Sequence, residues 1–451
     1  MDLFSYLQNG KTAYHSVAET ASMLSGAAFN ALNEHDVWDL KAGDGFFVQR
    51  NSSSLFAFKI PQNTQIKGAI VAATHSDSPT YKLKVNPILH KDKHYISLNV
   101  SGYGGMIHPT FLDRPLSIAG RIFIENNGDL KQILVDLNDI SIIIPNLAIH
   151  MNRNINNGYE YKIGKDMLPI LCQTNTYCTN IFDGEIFPPD RQKEFLQTGQ
   201  SNTIKGRNIN PESISLADIF GYNEILGHDL FLYSKDSPSY LGLNNEFFGS
   251  PRIDNLECSY IAAKSLIDCM PSNYISAFAM LDNEEVGSSG RQGADSTFIT
   301  DCLAKIYENL NMNVSSQKIF EAGSFMLSCD NAHGLHPNYV DKSDPVNRPY
   351  LNEGVVIKHS TNQKYTTDGH SSARLKLFCK NHNIPYQDFE NPSDIAGGST
   401  LGNISAKHLS IPAVDIGLAQ WAMHSAFEIA GSRDLEFMYR LLSSAFSAES
   451  I

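Results

Sequence analysis

Residues 281–294, LDNEEVGSSGRQGA, set two glutamates side by side after an apolar run. Four further segments carry isolated His and Asp residues in matching settings: THSDSP (74–79), PRIDNL (251–256), SCDNAHGLHPNY (328–339) and AMHSAFE (422–428). Between them His75, His424, Asp254, Asp330 and Glu285 offer the nitrogen and oxygen donors that bind zinc-like ions, and Glu284 is left over. That inventory suits two zinc-like ions and a general base, a set that can activate water for hydrolysis.

Each residue also has an ordinary reading. His75 and Asp77 stand two apart, so on an extended segment they point the same way. That spacing suits a ligand and the carboxylate that orients it, or two residues of a surface loop. Asp254 precedes a helix-like stretch, where an Asp is commonly an N-cap; the alternative is a carboxylate with one oxygen for each of two cations. Adjacent Glu284 and Glu285 repel and would face solvent unless a cation compensates one of them. Glu284 would then be free to act as a base. Asp330 fits a turn as well as a site, and His424, beside Trp421 and Met423, fits a packed core. HExxH and GxSxG are absent, and no GK[ST] follows the Gly-rich loop VGSSG, which removes the helical zincin and serine-hydrolase readings and the P-loop reading of that loop.

The elements that must position these residues follow from pattern. GAIVAATH is a continuous apolar run ending at a polar cluster, as a buried parallel strand does when it delivers a site at its C-terminal edge. The segments YISAFAMLDNEE, SFMLSCDNAH and AVDIGLA read the same way. LECSYIAAKSLIDCM, TFITDCLAKIYENL, HSSARLKLFCKNHN and the stretch after Trp421 read as helices, as do residues 2–33. Strand–helix alternation predicts an α/β domain with a mostly parallel sheet flanked by helices. From 86 to 238 the texture changes to short strand-like runs broken by Gly, Asn and Asp, which predicts an inserted β-rich domain. The expected organisation is 1–85 with 239–451, interrupted by 86–238.

The chain has 451 residues, with a net charge of −13 and 42% hydrophobic content, ordinary for a globular protein. The acidic balance argues against nucleic-acid binding. No apolar run approaches the ~18 residues that span a bilayer. Seven scattered cysteines without a CxxC pair fit a reduced, cytoplasmic protein. The N-terminus reads as an amphipathic helix, not a signal peptide.

Nearly the whole chain resembles the aspartyl aminopeptidase family of dinuclear zinc aminopeptidases. The likeness rests on GFFVQRNSSSLFAFKIP, THSDSPTYKLKVNP, GYGGMIHPTFLDRPLSIAGR, IPNLAIHMNR, NEGVVIKHSTNQKYTTD, DIAGGSTLGNISAKHLSIPAVDIG and the five segments above. The resemblance implies two zinc ions per subunit, with Mn or Co as other divalent candidates. His75 and Asp330 would hold one ion, Glu285 and His424 the other, and Asp254 would bridge them. Glu284 would be the general base, and Asp77 would orient His75. His333, Lys358 and Tyr365 would line the substrate pocket, and His150 would reach a neighbouring subunit's site. The resemblance further implies removal of N-terminal Asp or Glu from peptides with a free N-terminus. It also implies that the inserted domain makes dimers, which assemble into a dodecamer. The competing expectations are an aminopeptidase of the same fold preferring neutral residues and a noncatalytic assembly or cargo protein.

Overall fold

The computed structural model describes residues 1–63, 65–91, 93–174, 203–204, 207–208, 214–395 and 397–451. Cys178 and most of the polar segment 190–210 lie outside the described residues. The chain divides into two compact units, Met1–Pro79 with Asp236–Ile451, and Thr80–Lys235. The division falls a few residues before 86 and 239. Thr80–His90 is one strand of the second unit's sheet, so the chain enters that unit as soon as it leaves Pro79.

The first unit is built on a nine-stranded sheet. Its order is Asn30–Leu32, Gly45–Arg50, Ser54–Lys59, Tyr274–Leu281, Gly68–His75, Phe325–Cys329, Ala413–Gly417, Val355–His359 and Tyr386–Glu390. The four central strands, from Tyr274–Leu281 to Ala413–Gly417, are parallel. Their C-terminal ends therefore share one edge. Side chains alternate between the faces. Ile70 and Ala72 join a core that includes Leu256, Phe278, Leu327 and Met438. Ala69, Val71 and Ala73 join another that includes Phe58, Ile275, Phe298 and Ile306. Both faces are buried, which explains why GAIVAATH and YISAFAML are apolar throughout.

The helices bury one stripe each. Phe298–Asn309 buries Phe298, Ile299, Cys302, Leu303, Ile306 and Tyr307. Asp434–Phe446 buries Phe437, Met438, Leu441, Leu442 and Ala445 at the same helical spacing. The helix expected over 2–33 is instead two helices, Leu3–Asn9 and Ala13–Gly26, followed by the strand Asn30–Leu32. The break is at Gly10, which passes so near Leu256 that an added Cβ would lie 2.8 Å from its Cδ1.

A second, five-stranded sheet in this unit runs Ser239–Leu241, Phe247–Ser250, Glu428–Gly431, Ala419–Trp421, Ala332–His333. The helix expected directly after Trp421 begins only at Asp434, because the strand Glu428–Gly431 intervenes. The second unit holds a six-stranded antiparallel sheet in which Leu116–Asn126 pairs on one side with Asp129–Asp136 and on the other with Gly227–Ser234. No helix among the described residues is long and apolar enough to cross a membrane.

Candidate metal centre

Three of the central strands deliver site residues at their common edge. His75 ends Gly68–His75, and Asp330 follows Phe325–Cys329. Glu284 and Glu285 form a single 3₁₀ turn just beyond Tyr274–Leu281. The five-stranded sheet supplies the rest. Asp254 follows Phe247–Ser250, and His424 lies in the turn between Ala419–Trp421 and Glu428–Gly431. The N-cap of the helix Ile253–Asp268 is Arg252, so Asp254 does not cap it. The Asp254–Asn255 peptide bond is cis.

The donors converge. His75, Asp254 and Asp330 bring ligand atoms within 4.8 Å of one another, and so do Asp254, Glu285 and His424. Asp254 belongs to both triads. Its Oδ1 lies 3.3 Å from His75 Nε2 and its Oδ2 3.6 Å from His424 Nε2. Asp330 Oδ1 is 3.5 Å from His75 Nε2, and Glu285 Oε2 is 3.3 Å from His424 Nε2. Glu284 also comes within 4.8 Å of donors of His75 and Glu285.

The donor set fits divalent cations. Buried Asp254 Oδ1 and Glu285 Oε1 have no hydrogen-bond donor, an expensive state for carboxylate oxygens unless a cation faces them. Five carboxylates, those of Asp77, Asp254, Glu284, Glu285 and Asp330, surround two imidazoles. Burial, reinforced by the charge of Asp254, pushes Glu285 well above the usual carboxylate range. Burial likewise pushes Glu284 up to about 8, with the charges of Asp330, Asp77 and Asp254 adding to it and His75 opposing. Burial disfavours charge on His424, yet its bond to Asp254 and the charge of Glu285 raise it to about 10. Protons are held where dications would otherwise balance the charge.

Asp77 reaches His75 through two groups. His75 Nδ1 donates to the backbone carbonyl of Asp77 at 3.0 Å, and the Asp77 carboxylate stands off at 3.5 Å. The carbonyl bond directs Nε2 toward Asp254 and Asp330. The Asp77 carboxylate also accepts the backbone N–H groups of Glu284 (3.1 Å) and Glu285 (3.2 Å). It fixes the turn that carries them.

Lys358 is 2% exposed, and its Nζ lies over the Tyr365 ring, 5.2 Å from the centroid. Its three donors go to Asp330 O (2.8 Å), Asp330 Oδ2 (3.1 Å) and Asn331 O (3.2 Å). A substrate carboxylate would have to take the place of one of these. His333 lines a cavity of about 320 Å³ together with His336, Lys342, Phe389, Trp421 and Met423. Met423 directly precedes His424, so the cavity opens beside the centre. His150 belongs to the second unit, in an exposed turn, and is not among the converging donors.

Sequence reasoning missed Glu428, which closes the AMHSAFE segment. Buried Glu428 accepts the backbone N–H of Asp254 at 2.9 Å and that of His424 at 2.6 Å. The only signal was the one acidic residue of that segment, four positions after His424.

The family model described as "Aminopeptidase I zinc metalloprotease (M18)" matches residues 6–446. The chain is 37% identical over 438 residues to a probable M18 family aminopeptidase 2 of Clostridium novyi (strain NT), covering 96% of this chain and 95% of that one. A chain from a cryo-EM structure of an Ape4 and Nbr1 complex superposes with a TM-score of 0.85 at 31% identity, covering 99% of this chain and 84% of its own. The mApe1 dodecamer of S. cerevisiae has the same fold, with a TM-score of 0.79 at 24% identity over 98% of this chain and 95% of that one. A match that spans both units and every segment of the converging donors leaves one assignment: the chain belongs to the M18 family of zinc metalloprotease aminopeptidases, which are peptide hydrolases.

Proposed function

We propose that the chain removes N-terminal Asp and Glu residues from peptides at a centre that holds two zinc ions. The observation that carries the two-ion reading is Asp254, shared by both donor triads and turning a different oxygen to each imidazole. In this reading His75 and Asp330 would hold one ion, Glu285 and His424 the other, and Asp254 would serve both. Zinc in such a site lowers the proton affinity of water and polarises the scissile carbonyl. Glu284 takes the proton of the attacking water and returns it to the departing amine. Asp77 keeps Glu284 and Glu285 in register by holding both backbone N–H groups.

The acidic preference rests on the lysines of the substrate side. Lys358 is buried against Tyr365, and Lys342 lines the adjoining cavity with His333 and His336. A substrate carboxylate would exchange with Asp330 Oδ2 for one donor of Lys358. A lysine–carboxylate bond of this kind contributes ~1.5–3 kcal/mol, or roughly tenfold to 150-fold in discrimination.

The inserted unit, in this account, pairs subunits into dimers that build a dodecamer, with His150 completing a neighbour's pocket. Leu147, Ile149 and Met151 are exposed around His150, an apolar segment suited to contact. A cytoplasmic setting agrees with the six unpaired cysteines among the described residues. Turnover of Asp-, Glu- and Leu-anilides with and without chelator tests the reading. Chelator-sensitive cleavage that favours Asp and Glu supports it. Faster cleavage of the Leu substrate would transfer the chain to the neutral-residue alternative, and absence of all turnover by zinc-loaded protein would leave only a noncatalytic role.

A further inference from the structure

Asp254 and His424 reach the centre from neighbouring strands of the five-stranded sheet, and both approaches are irregular. Arg252, two residues before Asp254, has φ of +60°, and Ala422 and His424 have φ of +55° and +67°. None of these is glycine, so each conformation is strained and must be held by its surroundings. Glu428 sits where the two paths diverge. It pairs with Ser250, the last residue of the strand leading to Asp254, and it is the first residue of the strand that follows the His424 turn. Its side chain is 2% exposed. Oε2 accepts the N–H of Asp254 at 2.9 Å and Oε1 accepts that of His424 at 2.6 Å.

We propose that Glu428 is a positioning residue that ties the backbones of Asp254 and His424 to one carboxylate and thereby sets the spacing of the ligands on the His424 side of the centre. The inference rests on the two-ion reading of that centre and adds a residue to it. The arrangement mirrors Asp77, whose carboxylate holds the N–H groups of Glu284 and Glu285. Each carboxylate thus fixes two backbones that present site residues. Both oxygens of Glu428 act as acceptors, so one side chain holds two backbone donors at once. Glu428→Gln keeps the size but replaces one acceptor by an amide N–H₂ that faces a backbone N–H. Glu428→Asp keeps the charge but is one methylene too short to hold both groups.

The test is zinc binding to apoprotein, measured by chelator competition, alongside the visible spectrum of the cobalt-loaded form. Wild type should bind two ions. In Glu428→Gln one binding step should weaken by roughly 10–100-fold, as loss of a partner behind a ligand does, and the other step should change much less. The cobalt bands of the weakened step should shift, and excess zinc should restore kcat. Glu428→Asp should show the same asymmetry in smaller degree. Hydrogen exchange of the wild-type apoprotein gives a reading that needs no variant: the amide of His424 should be protected although its turn is partly exposed. Unchanged affinities and spectra in the Gln variant, or equal weakening of both steps in proportion to a fall in apoprotein melting temperature, would overturn the proposal. So would rapid exchange at the His424 amide. Fewer than two ions on wild type would overturn the two-ion reading itself, which separates the two failures.

Discussion

Glu284 and Glu285 are chain neighbours with different surroundings. Glu285 Oε2 faces His424 at 3.3 Å, whereas Glu284 approaches the His75 side of the centre. Glu284→Gln should lower kcat by ~10²-fold or more, the usual contribution of a general base, while zinc content stays unchanged. Near-normal turnover would move the base elsewhere. Lys358→Met should cut kcat/KM for Asp and Glu substrates roughly tenfold to 150-fold more than for Leu. Its bonds to Asp330 predict a second effect, easier zinc loss to chelator. Equal losses on all substrates would make Lys358 a support of Asp330 alone. His75, Glu284, Glu285 and Asp330 stand out in the sequence because each lies at or just beyond the end of an apolar run; Asp254, after Pro251 and Arg252, has no such mark. HSD reads as a ligand beside its orienting carboxylate; unreadable from the sequence were the bond of His75 to the Asp77 carbonyl and the carboxylate's bonds to a turn more than 200 positions away in the chain. Nothing local in VVIKHS indicates that the Lys358 ammonium meets two backbone carbonyls.

The parallel strands were readable because burial on both faces removes polar residues, and that demand acts within each strand. Short elements carry no such mark. Glu428–Gly431 has four residues, too few for a period, and it merges in sequence with the helix that follows. The split of 2–33 depends on Gly10 passing Leu256, a contact invisible along the chain. The strand Ala413–Gly417 shows how an element sets the site. An added Cβ on Gly417 would fall 1.9 Å from the backbone oxygen of Asp330. Gly417→Ala must therefore push the Asp330 segment aside. It should destabilise the protein by ~1–3 kcal/mol, the usual cost of overpacking, and weaken zinc retention. Denaturant unfolding of apoprotein and chelator competition measure the two effects. A variant unchanged in both would show that Asp330 tolerates displacement.

For the molecule as a whole, the proposed assembly through the inserted unit would give oligomerisation a role in activity. Light scattering should find a particle several times the mass of one chain, and His150→Ala should lower kcat/KM without dissociating it. A fully active monomer would exclude that role. The change in texture is read from residue 86, whereas the second unit begins at Thr80, because TYKLKVNPILH reads as any exposed strand. Its membership in the second sheet is set by pairing with Tyr95–Tyr103 and Gly227–Ser234. The central claim, a two-zinc aminopeptidase, is tested most directly by titrating apoprotein with zinc while following turnover of a peptide with N-terminal Asp. Activity should climb from near zero to a maximum at about two zinc ions per chain, with the N-terminal residue as the first product. Full turnover by metal-free protein, or a maximum reached at one ion per chain, would contradict it.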